Sequence, residues 1–186
     1  MSLTPLANYE LSISEEELAK AVEAVSPSVN EWIKQVSKDQ SESIIALCVL
    51  RGGCFFFADL LRRLDYSVQM EFIKFSSYNE ENNTQMESAN LKEVHFPFEF
   101  KDRIVLLVDD ICESGRTLSI LAGRLKELGA RDVKTAVMVY RHVPNAQIAP
   151  DFFATEIRHL EWLVGMGLDD QGKFRNLPGI YTIKQS

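Results

Sequence analysis

Continuous apolar runs alternate along the chain with segments whose apolar residues recur at helical spacing. Ile44–Leu50 and Ile104–Val108 are such runs; each predicts a strand buried on both faces, and the second strand closes on Asp109. Helical spacing follows each run, and Thr117–Leu128 ends at Gly129, a typical helix C-terminus. Further predicted strands are Val68–Phe75 and Val133–Tyr140, with shorter ones near Phe152–Thr155, Leu163–Gly167 and Gly179–Ile183. This alternation predicts an α/β fold with a parallel sheet flanked by helices.

The N-terminal part of the chain carries a strong helix-start signal. Ser14 and Glu17 have the spacing of a capping box ahead of an amphipathic stretch. Pro27 interrupts that stretch, and Ser26 before it can act as a second N-cap. The pattern therefore predicts two consecutive helices up to about Lys38.

Ser76–Glu93 differs in kind from the segments around it. It is rich in Asn, Glu and Ser, and its hydrophobic residues show no periodicity. A loop of this length is unusual in a compact domain unless it has a function. We expect a mobile loop over residues 76–93 that covers an active site.

Composition narrows the possible classes of protein. A length of 186 residues with 46% hydrophobic residues predicts one globular domain spanning residues 1–186. The net charge of −7 argues against electrostatic binding to nucleic acid or to an anionic membrane. No apolar run approaches the roughly 20 residues of a membrane span. The start of the chain lacks the pattern of a secretion signal, and three cysteines without CxxC spacing fit a reducing compartment, so we expect a cytoplasmic protein.

The most informative segment is Val105–Leu118, with the sequence VLLVDDICESGRTL. A buried strand ending at Val108 would bring the carboxylates of Asp109 and Asp110 to the mouth of the sheet, where α/β folds bind ligands. Paired carboxylates suit a polyhydroxy or metal-bound ligand, and the polar turn through Gly115 suits a phosphate at a helix N-terminus. Together these features predict a phosphoribosyl site. The alternatives are a solvated acidic pair and an ordinary helix start.

Neither a Walker loop nor a G-x-G-x-x-G turn is present, so the sequence gives no support for those nucleotide-binding motifs. The segment instead resembles the phosphoribosyl-diphosphate (PRPP) motif of the type I phosphoribosyltransferases. Three other segments, LRGGCFFFADLLRRL, FIKFSSY and WLVGMGLDDQGKFRNLPGIY, follow the order seen in the hypoxanthine–guanine phosphoribosyltransferases. The resemblance covers roughly residues 44–183.

This resemblance implies a type I phosphoribosyltransferase-like sheet with a small hood subdomain built from the terminal segments. It implies a magnesium-dependent enzyme of purine salvage, which transfers the phosphoribosyl group of PRPP to a 6-oxopurine and releases pyrophosphate. The products would be IMP or GMP. Family members form dimers or tetramers, so a homodimer or homotetramer is expected.

The resemblance also assigns roles to individual residues. Glu113 would be the base that takes a proton from the purine, and Asp109 and Asp110 would bind the ribose hydroxyls. The 5′-phosphate site would comprise Glu113, Ser114, Gly115, Arg116 and Thr117, and the mobile loop would contribute Ser77 and Tyr78. Pyrophosphate would meet Arg51, Gly52 and Arg175, and in relatives the peptide after the position of Arg51 can be cis. The purine would contact Arg141, Trp162, Leu163 and Asp169; Asp169 would also bind Mg²⁺, together with Asp109 and Asp110 through water.

Among the positions that depart from the pattern of the family, three bear most on the reaction. Relatives usually carry lysine where this chain has Arg51 and Arg141, and aspartate where it has Glu113. One extra methylene shifts a carboxylate by about an ångström, and such a shift can cost about 100-fold in rate. A non-catalytic PRPP or nucleotide sensor on the same fold is therefore the alternative function. A phospho-accepting receiver domain is a weaker alternative, because a phosphate-type turn follows the acidic pair.

Overall fold

The computed structural model describes residues 8–39, 42–75, 96, 98–144 and 146–184. The predicted mobile loop, with Ser77 and Tyr78, lies outside these residues. In chain order the described elements are β1 (Tyr9–Ile13), α1 (Glu15–Val36), β2 (Ile44–Leu50), α2 (Cys54–Leu61), β3 (Val68–Lys74), β4 (Ile104–Cys112), α3 (Arg116–Glu127), β5 (Asp132–Arg141), β6 (Phe152–Ile157), β7 (Leu163–Val164) and β8 (Ile180–Ile183).

Five strands form a parallel sheet in the order β3-β2-β4-β5-β6. After β2 the chain moves outward to β3, and it then returns to place β4 on the other side of β2. The carboxyl ends of β2 and β4 therefore flank the point at which the direction of winding reverses. Open α/β sheets bind their ligands at this position. The predicted fold class is confirmed.

The two faces of this sheet carry separate hydrophobic cores because side chains alternate along each strand. Ile44 and Ile104 point towards the face covered by α1 and α2, whereas Ile45 and Val105 point towards α3. All four side chains are fully buried. A strand buried on both faces must be apolar throughout, which is why the continuous runs predicted these strands correctly.

The N-terminal segment forms one helix, so the prediction of two consecutive helices is wrong. The capping box at Ser14 and Glu17 is present as predicted. Pro27 lies inside the helix and cannot donate to the carbonyl oxygen of Glu23, the acceptor four residues earlier. The hydroxyl of Ser26 donates to that oxygen instead, at 3.0 Å, so the helix continues through the proline.

A second, three-stranded antiparallel sheet has the order β1-β8-β7 and joins the two terminal parts of the chain. Strand β1 was not predicted, although its sequence YELSI alternates apolar and polar residues; its pairing partner, β8, lies at the other end of the chain. This small sheet corresponds to the expected hood, while the extent of the domain stays a prediction. Among the described residues, no helix is long and apolar enough to cross a membrane.

Candidate active site

The acidic pair lies within β4 and not beyond its end, because the strand runs to Cys112. Pairing with β2 stops at Val108, opposite Cys48. Pairing with β5 continues, with Asp109 opposite Val137 and Cys112 opposite Tyr140. The prediction that the strand ends at Val108 is therefore wrong on the β5 side, where β5 extends the ladder. On the β2 side the sheet opens at the acidic pair.

Both carboxyl groups of the pair are unusual electrostatically. Asp109 is only 9% exposed, and its Oδ1 accepts the backbone N–H of Asp110 at 2.9 Å. Burial, and then the charge of Asp110, raise the pKa of Asp109 well above its ordinary value. Burial also raises the pKa of Asp110, although the backbone N–H of Ile111 and the charge of Arg175 oppose that effect. The site thus holds two carboxyl groups whose charged forms call for a cation or hydrogen-bond donors.

Two glycines bring backbone segments against this acidic pair. A methyl group on Gly52 would overlap Oδ2 of Asp110, and one on Gly167 would overlap the carbonyl oxygen of Gly52. The loop after β2 therefore lies between the acidic pair and the loop that contains Gly167. Only glycine fits these close approaches.

The loop after β2 contains the predicted pyrophosphate residues. The cis peptide bond joins Leu50 to Arg51, so it lies one residue earlier than the sequence analysis expected. Arg51 is exposed, whereas Gly52 is buried beneath it. The assignment of this loop to pyrophosphate stays a prediction. Gly167 was not predicted as a site residue, although the G-x-G spacing of Gly165 and Gly167 was a signal for it.

Asp169 and Arg175 form an ion pair beside this loop, with 2.5 Å between Oδ1 and Nη2. Arg175 Nη1 also donates to the carbonyl oxygen of Gly167 at 2.6 Å. The backbone N–H of Gly172 donates to Asp169 Oδ2, likewise at 2.6 Å. Hydrogen bonds from the segment 167–172 therefore hold both Asp169 and Arg175 in place. The same segment contacts the loop of Gly52, because Gly167 packs against the carbonyl oxygen of Gly52. Within the described ranges, no three His, Cys, Asp or Glu side chains converge as a ready metal site.

After the turn that follows β4, helix α3 begins at Arg116. Gly115 is the N-cap, has a φ of 73° and packs against Ile148, where a methyl group would overlap. The hydroxyl of Ser114 accepts the backbone N–H of Arg116 at 3.3 Å. Thr117 lies in the first turn, whose N–H groups have no acceptor within the helix. This arrangement of donors suits a phosphate group.

Arg141 and Glu113 occupy adjacent strand ends, because β4 and β5 pair up to the residues just before them. Their side chains form an ion pair of 2.9 Å between Nη1 and Oε1. Arg141 Nη2 donates to the carbonyl oxygen of Glu161 at 2.9 Å, while the buried Nε has no acceptor among the described residues. Arg141 is only 7% exposed, so burial and these two contacts fix the position of its guanidinium.

Trp162 is 56% exposed, so it is not part of the hydrophobic core. Its indole N–H donates to the carbonyl oxygen of Asp169 at 2.9 Å. Leu163, by contrast, is buried in β7. Two adjacent residues thus connect these groups: Glu161 accepts a hydrogen bond from Arg141, and Trp162 donates one to Asp169. The arrangement provides an aromatic surface beside hydrogen-bonding groups, which suits a planar heterocycle.

Residues predicted from separate parts of the sequence therefore meet in two connected groups. One group links the acidic pair through the two glycines to the Asp169–Arg175 pair, and the other links Glu113 through Arg141 to Trp162. Both groups lie at the carboxyl edge of the parallel sheet, the first at the reversal between β2 and β4 and the second at the ends of β4 and β5. The edge offers carboxylates, a helix N-terminus, a glycine loop and an aromatic surface side by side.

Comparison with known proteins gives a consistent result. Residues 19–171 match the family model described as the phosphoribosyl transferase domain. The chain is 31% identical over 173 residues to the hypoxanthine-guanine phosphoribosyltransferase of Bacillus subtilis. The aligned region covers 92% of this chain and 91% of that protein. It is also 31% identical over 173 residues to the bifunctional protein TilS/HprT of Listeria monocytogenes, but spans only 25% of that protein's length.

Among solved structures, a hypoxanthine phosphoribosyltransferase from Staphylococcus aureus superposes with a TM-score of 0.80. The match covers 98% of this chain and 95% of that chain at 22% sequence identity. A hypoxanthine phosphoribosyltransferase from Trypanosoma cruzi superposes with a TM-score of 0.79 at 24% identity. That match covers 95% of this chain and 97% of the other chain. At these identities the superpositions establish a shared fold.

Proposed function

The chain belongs to the phosphoribosyltransferase family, and on that basis we propose that it is a hypoxanthine–guanine phosphoribosyltransferase of purine salvage. It transfers the phosphoribosyl group of PRPP to a 6-oxopurine and releases pyrophosphate. The observation that carries the proposal is the acidic pair of β4, packed against Gly52 on one side and followed by the phosphate-type turn into α3 on the other. This arrangement matches a pentose that bears a phosphate at one end and a leaving group at the other.

The acidic pair is suited to the ribose. Carboxylates accept hydrogen bonds from the 2′ and 3′ hydroxyls, and their negative charge stabilises the oxocarbenium character that develops at C1. The buried position of Asp109 strengthens this effect, because the local dielectric is low. The turn from Ser114 to Thr117 holds the 5′-phosphate through its N–H groups and hydroxyls, with Arg116 beside it.

The donor chemistry of the acidic pair also fits a magnesium ion. Mg²⁺ binds through one or two protein carboxylates and takes its remaining ligands from water and substrate phosphates, so carboxylates at this edge of the sheet suit it. Asp169 would hold the ion beside the pyrophosphate, and Asp109 and Asp110 would hold it through water. When bound, Mg²⁺ neutralises negative charge on the pyrophosphate leaving group.

Pyrophosphate occupies the loop after β2. Arg51 and Gly52 bind it from one side, and the planar guanidinium of Arg175 offers two donors from the other. The ion pair with Asp169 aims Arg175 at this loop before substrate arrives. The C1–O bond to pyrophosphate breaks as the purine nitrogen bonds to C1, with inversion at that carbon.

The purine stacks on Trp162, and backbone groups of Leu163 and Asp169 meet its edge. Arg141 can only donate hydrogen bonds, so it selects an oxo group at purine C6 over an amino group. Its contacts with Glu113 and with the carbonyl oxygen of Glu161 fix the orientation of the guanidinium. Glu113 takes the proton from purine N7.

One assay tests this proposal. The purified protein is incubated with magnesium, PRPP and each nucleobase in turn, and nucleotides are separated by chromatography. IMP or GMP is the expected product, and adenylate alone would refute the assignment to 6-oxopurines. If no base gives a product while PRPP still raises the melting temperature, the chain is a sensor and not an enzyme.

We also propose a cellular compartment, an oligomeric state and a set of partners for the enzyme. All three cysteines are free thiols, which fits the cytoplasm. A homodimer or homotetramer is proposed by analogy with the family, and sedimentation would determine it. The predicted partners are the two small-molecule substrates alone, without nucleic acid or membrane.

A further inference from the structure

Tyr9 connects the N-terminal strand to the loop that carries Asp169 and Arg175. Its hydroxyl donates to Oδ2 of Asp170 at 2.7 Å. Its ring packs on the ring of Phe174, with 5.0 Å between the centroids. Tyr9 lies in β1, whose pairing opposite Ile183 of β8 fixes its position in the three-stranded sheet.

The two residues that Tyr9 contacts bracket a tight turn. Asp170 and Lys173 exchange two backbone hydrogen bonds, of 3.2 and 3.0 Å. Gln171 and Phe174 adopt φ angles of 51° and 68°, a region that side chains other than glycine rarely enter. A turn with two such residues needs contacts from outside to remain in one conformation. Tyr9 provides a contact at each end of it.

The residues immediately outside this bracket are those proposed to act on pyrophosphate and metal. Asp169 precedes Asp170, and Arg175 follows Phe174. Asp169 and Arg175 pair at 2.5 Å, so the orientation of both depends on the turn that Tyr9 contacts. Any shift of Asp170 or Phe174 is passed directly to these neighbours through the backbone.

We propose that Tyr9 is a positioning residue for the pyrophosphate site, which it maintains by holding Asp170 and Phe174 and thereby fixing the Asp169–Arg175 pair. The inference rests on the proposed function, because it assigns that pair to pyrophosphate. It gives the first strand a role in the reaction that its sequence does not indicate. Tyr9 itself touches no reacting atom.

The test uses Tyr9→Phe, which removes the hydroxyl and keeps the ring, in the full chain. Asp170→Ala breaks the same hydrogen bond from the other side. Tyr66→Phe is the matched control, because Tyr66 lies at the opposite end of the sheet, next to Ser67, whose carbonyl accepts the N–H of Ile44. Calorimetry measures the binding of pyrophosphate with magnesium, and steady-state kinetics measure KM for PRPP and kcat.

Tyr9→Phe and Asp170→Ala should each weaken pyrophosphate binding and raise KM for PRPP by about tenfold, the order of one hydrogen bond to a charged group. For Tyr9→Phe, kcat should stay within about twofold, and the melting temperature should fall by no more than about 5 °C, since one part-buried hydrogen bond contributes about 1 kcal/mol to folding. Tyr66→Phe should match the unchanged protein in all four quantities.

Wild-type affinity for pyrophosphate in Tyr9→Phe would overturn the inference, and so would a fall in melting temperature without any change in affinity. The proposed function fails separately. If the unchanged protein makes no nucleotide but binds pyrophosphate in a Tyr9-dependent way, only the reaction assignment is lost. If nucleotide forms and Tyr9→Phe behaves like the unchanged protein, only the role of Tyr9 is lost.

Discussion

Arg141 and Glu113 form an ion pair of 2.9 Å that joins the carboxyl ends of β5 and β4. Both residues depart from the pattern of the family that the sequence resembles, where lysine and aspartate are usual. In the structure the two departures meet, because the glutamate oxygen lies within reach of the guanidinium. The pair holds the proposed proton acceptor against a buried, permanently charged group. Two changes that each threaten the reaction can therefore compensate one another.

Glu113→Gln should slow IMP synthesis by about 100-fold or more, because a positioned general base contributes on that order. The amide keeps the size of the side chain and loses the proton acceptor. PRPP should still raise the melting temperature of the variant, since the acidic pair and the helix turn are unchanged. If that thermal shift disappears while the rate survives, Glu113 binds PRPP and is not the base.

Shortening either member of the ion pair tests whether the two departures are coupled. Arg141→Lys and Glu113→Asp should each reduce kcat/KM for hypoxanthine by about tenfold, because each breaks the pair and misplaces one partner. The double variant should lose little more than either single one, a coupling of about 1 kcal/mol in a double-mutant cycle. Additive losses would mean that the two residues act independently.

Gly52→Ala should abolish measurable PRPP binding, because the added methyl group overlaps the carboxylate of Asp110. The control is Gly123→Ala, at a helical glycine in α3 with no atom near the added methyl group. That control should retain activity and gain up to about 1 kcal/mol in the free energy of unfolding. Calorimetric titration with PRPP and chemical denaturation measure the two effects. Retained PRPP binding in Gly52→Ala would contradict the close packing of this loop on β4.

Asp109→Asn should stabilise the free protein while it abolishes activity. The pKa of Asp109 is raised by folding, so the folded protein holds this proton more tightly than the unfolded chain. The carboxyl group therefore costs no stability below its ordinary pKa, and the cost grows as pH rises above that value towards the folded pKa. The gain in melting temperature from Asp109→Asn should accordingly be small near pH 3 to 4, roughly the ordinary pKa, and larger at neutral pH.

Thermal denaturation over a series of pH values checks that sign. Asp132→Asn is a suitable comparison. Asp132 begins β5 opposite Ile104, at the other end of the β4–β5 ladder from the acidic pair. A gain that is the same at every pH would show that the carboxyl group titrates alike in the folded and unfolded chains. A stabilised but inactive variant is the pattern expected where binding requires a buried charge.

Local signals in the sequence predicted much of this architecture. The bounds of β2 and the capping box at Ser14 agree with the structure, because each depends on residues within one element. Pro27 misled the analysis because the hydroxyl of Ser26 compensates for its missing N–H, and the same serine reads equally well as an N-cap. The length of β4 was underestimated because its last residues are supported by β5, which no pattern within β4 reveals.

The sequence by itself determined the parallel sheet, through apolar runs that can only be buried on both faces, and the motif at the end of β4. It also named most of the residues proposed for the site, through the resemblance those motifs carry. Tertiary structure alone decided which of them touch: Asp110 against Gly52, Arg141 on Glu113, and Tyr9 under the loop of Asp169. The physical reason is that burial and spacing act within an element, whereas these contacts join residues as far apart as 161 positions, whose proximity exists only once the strands have paired.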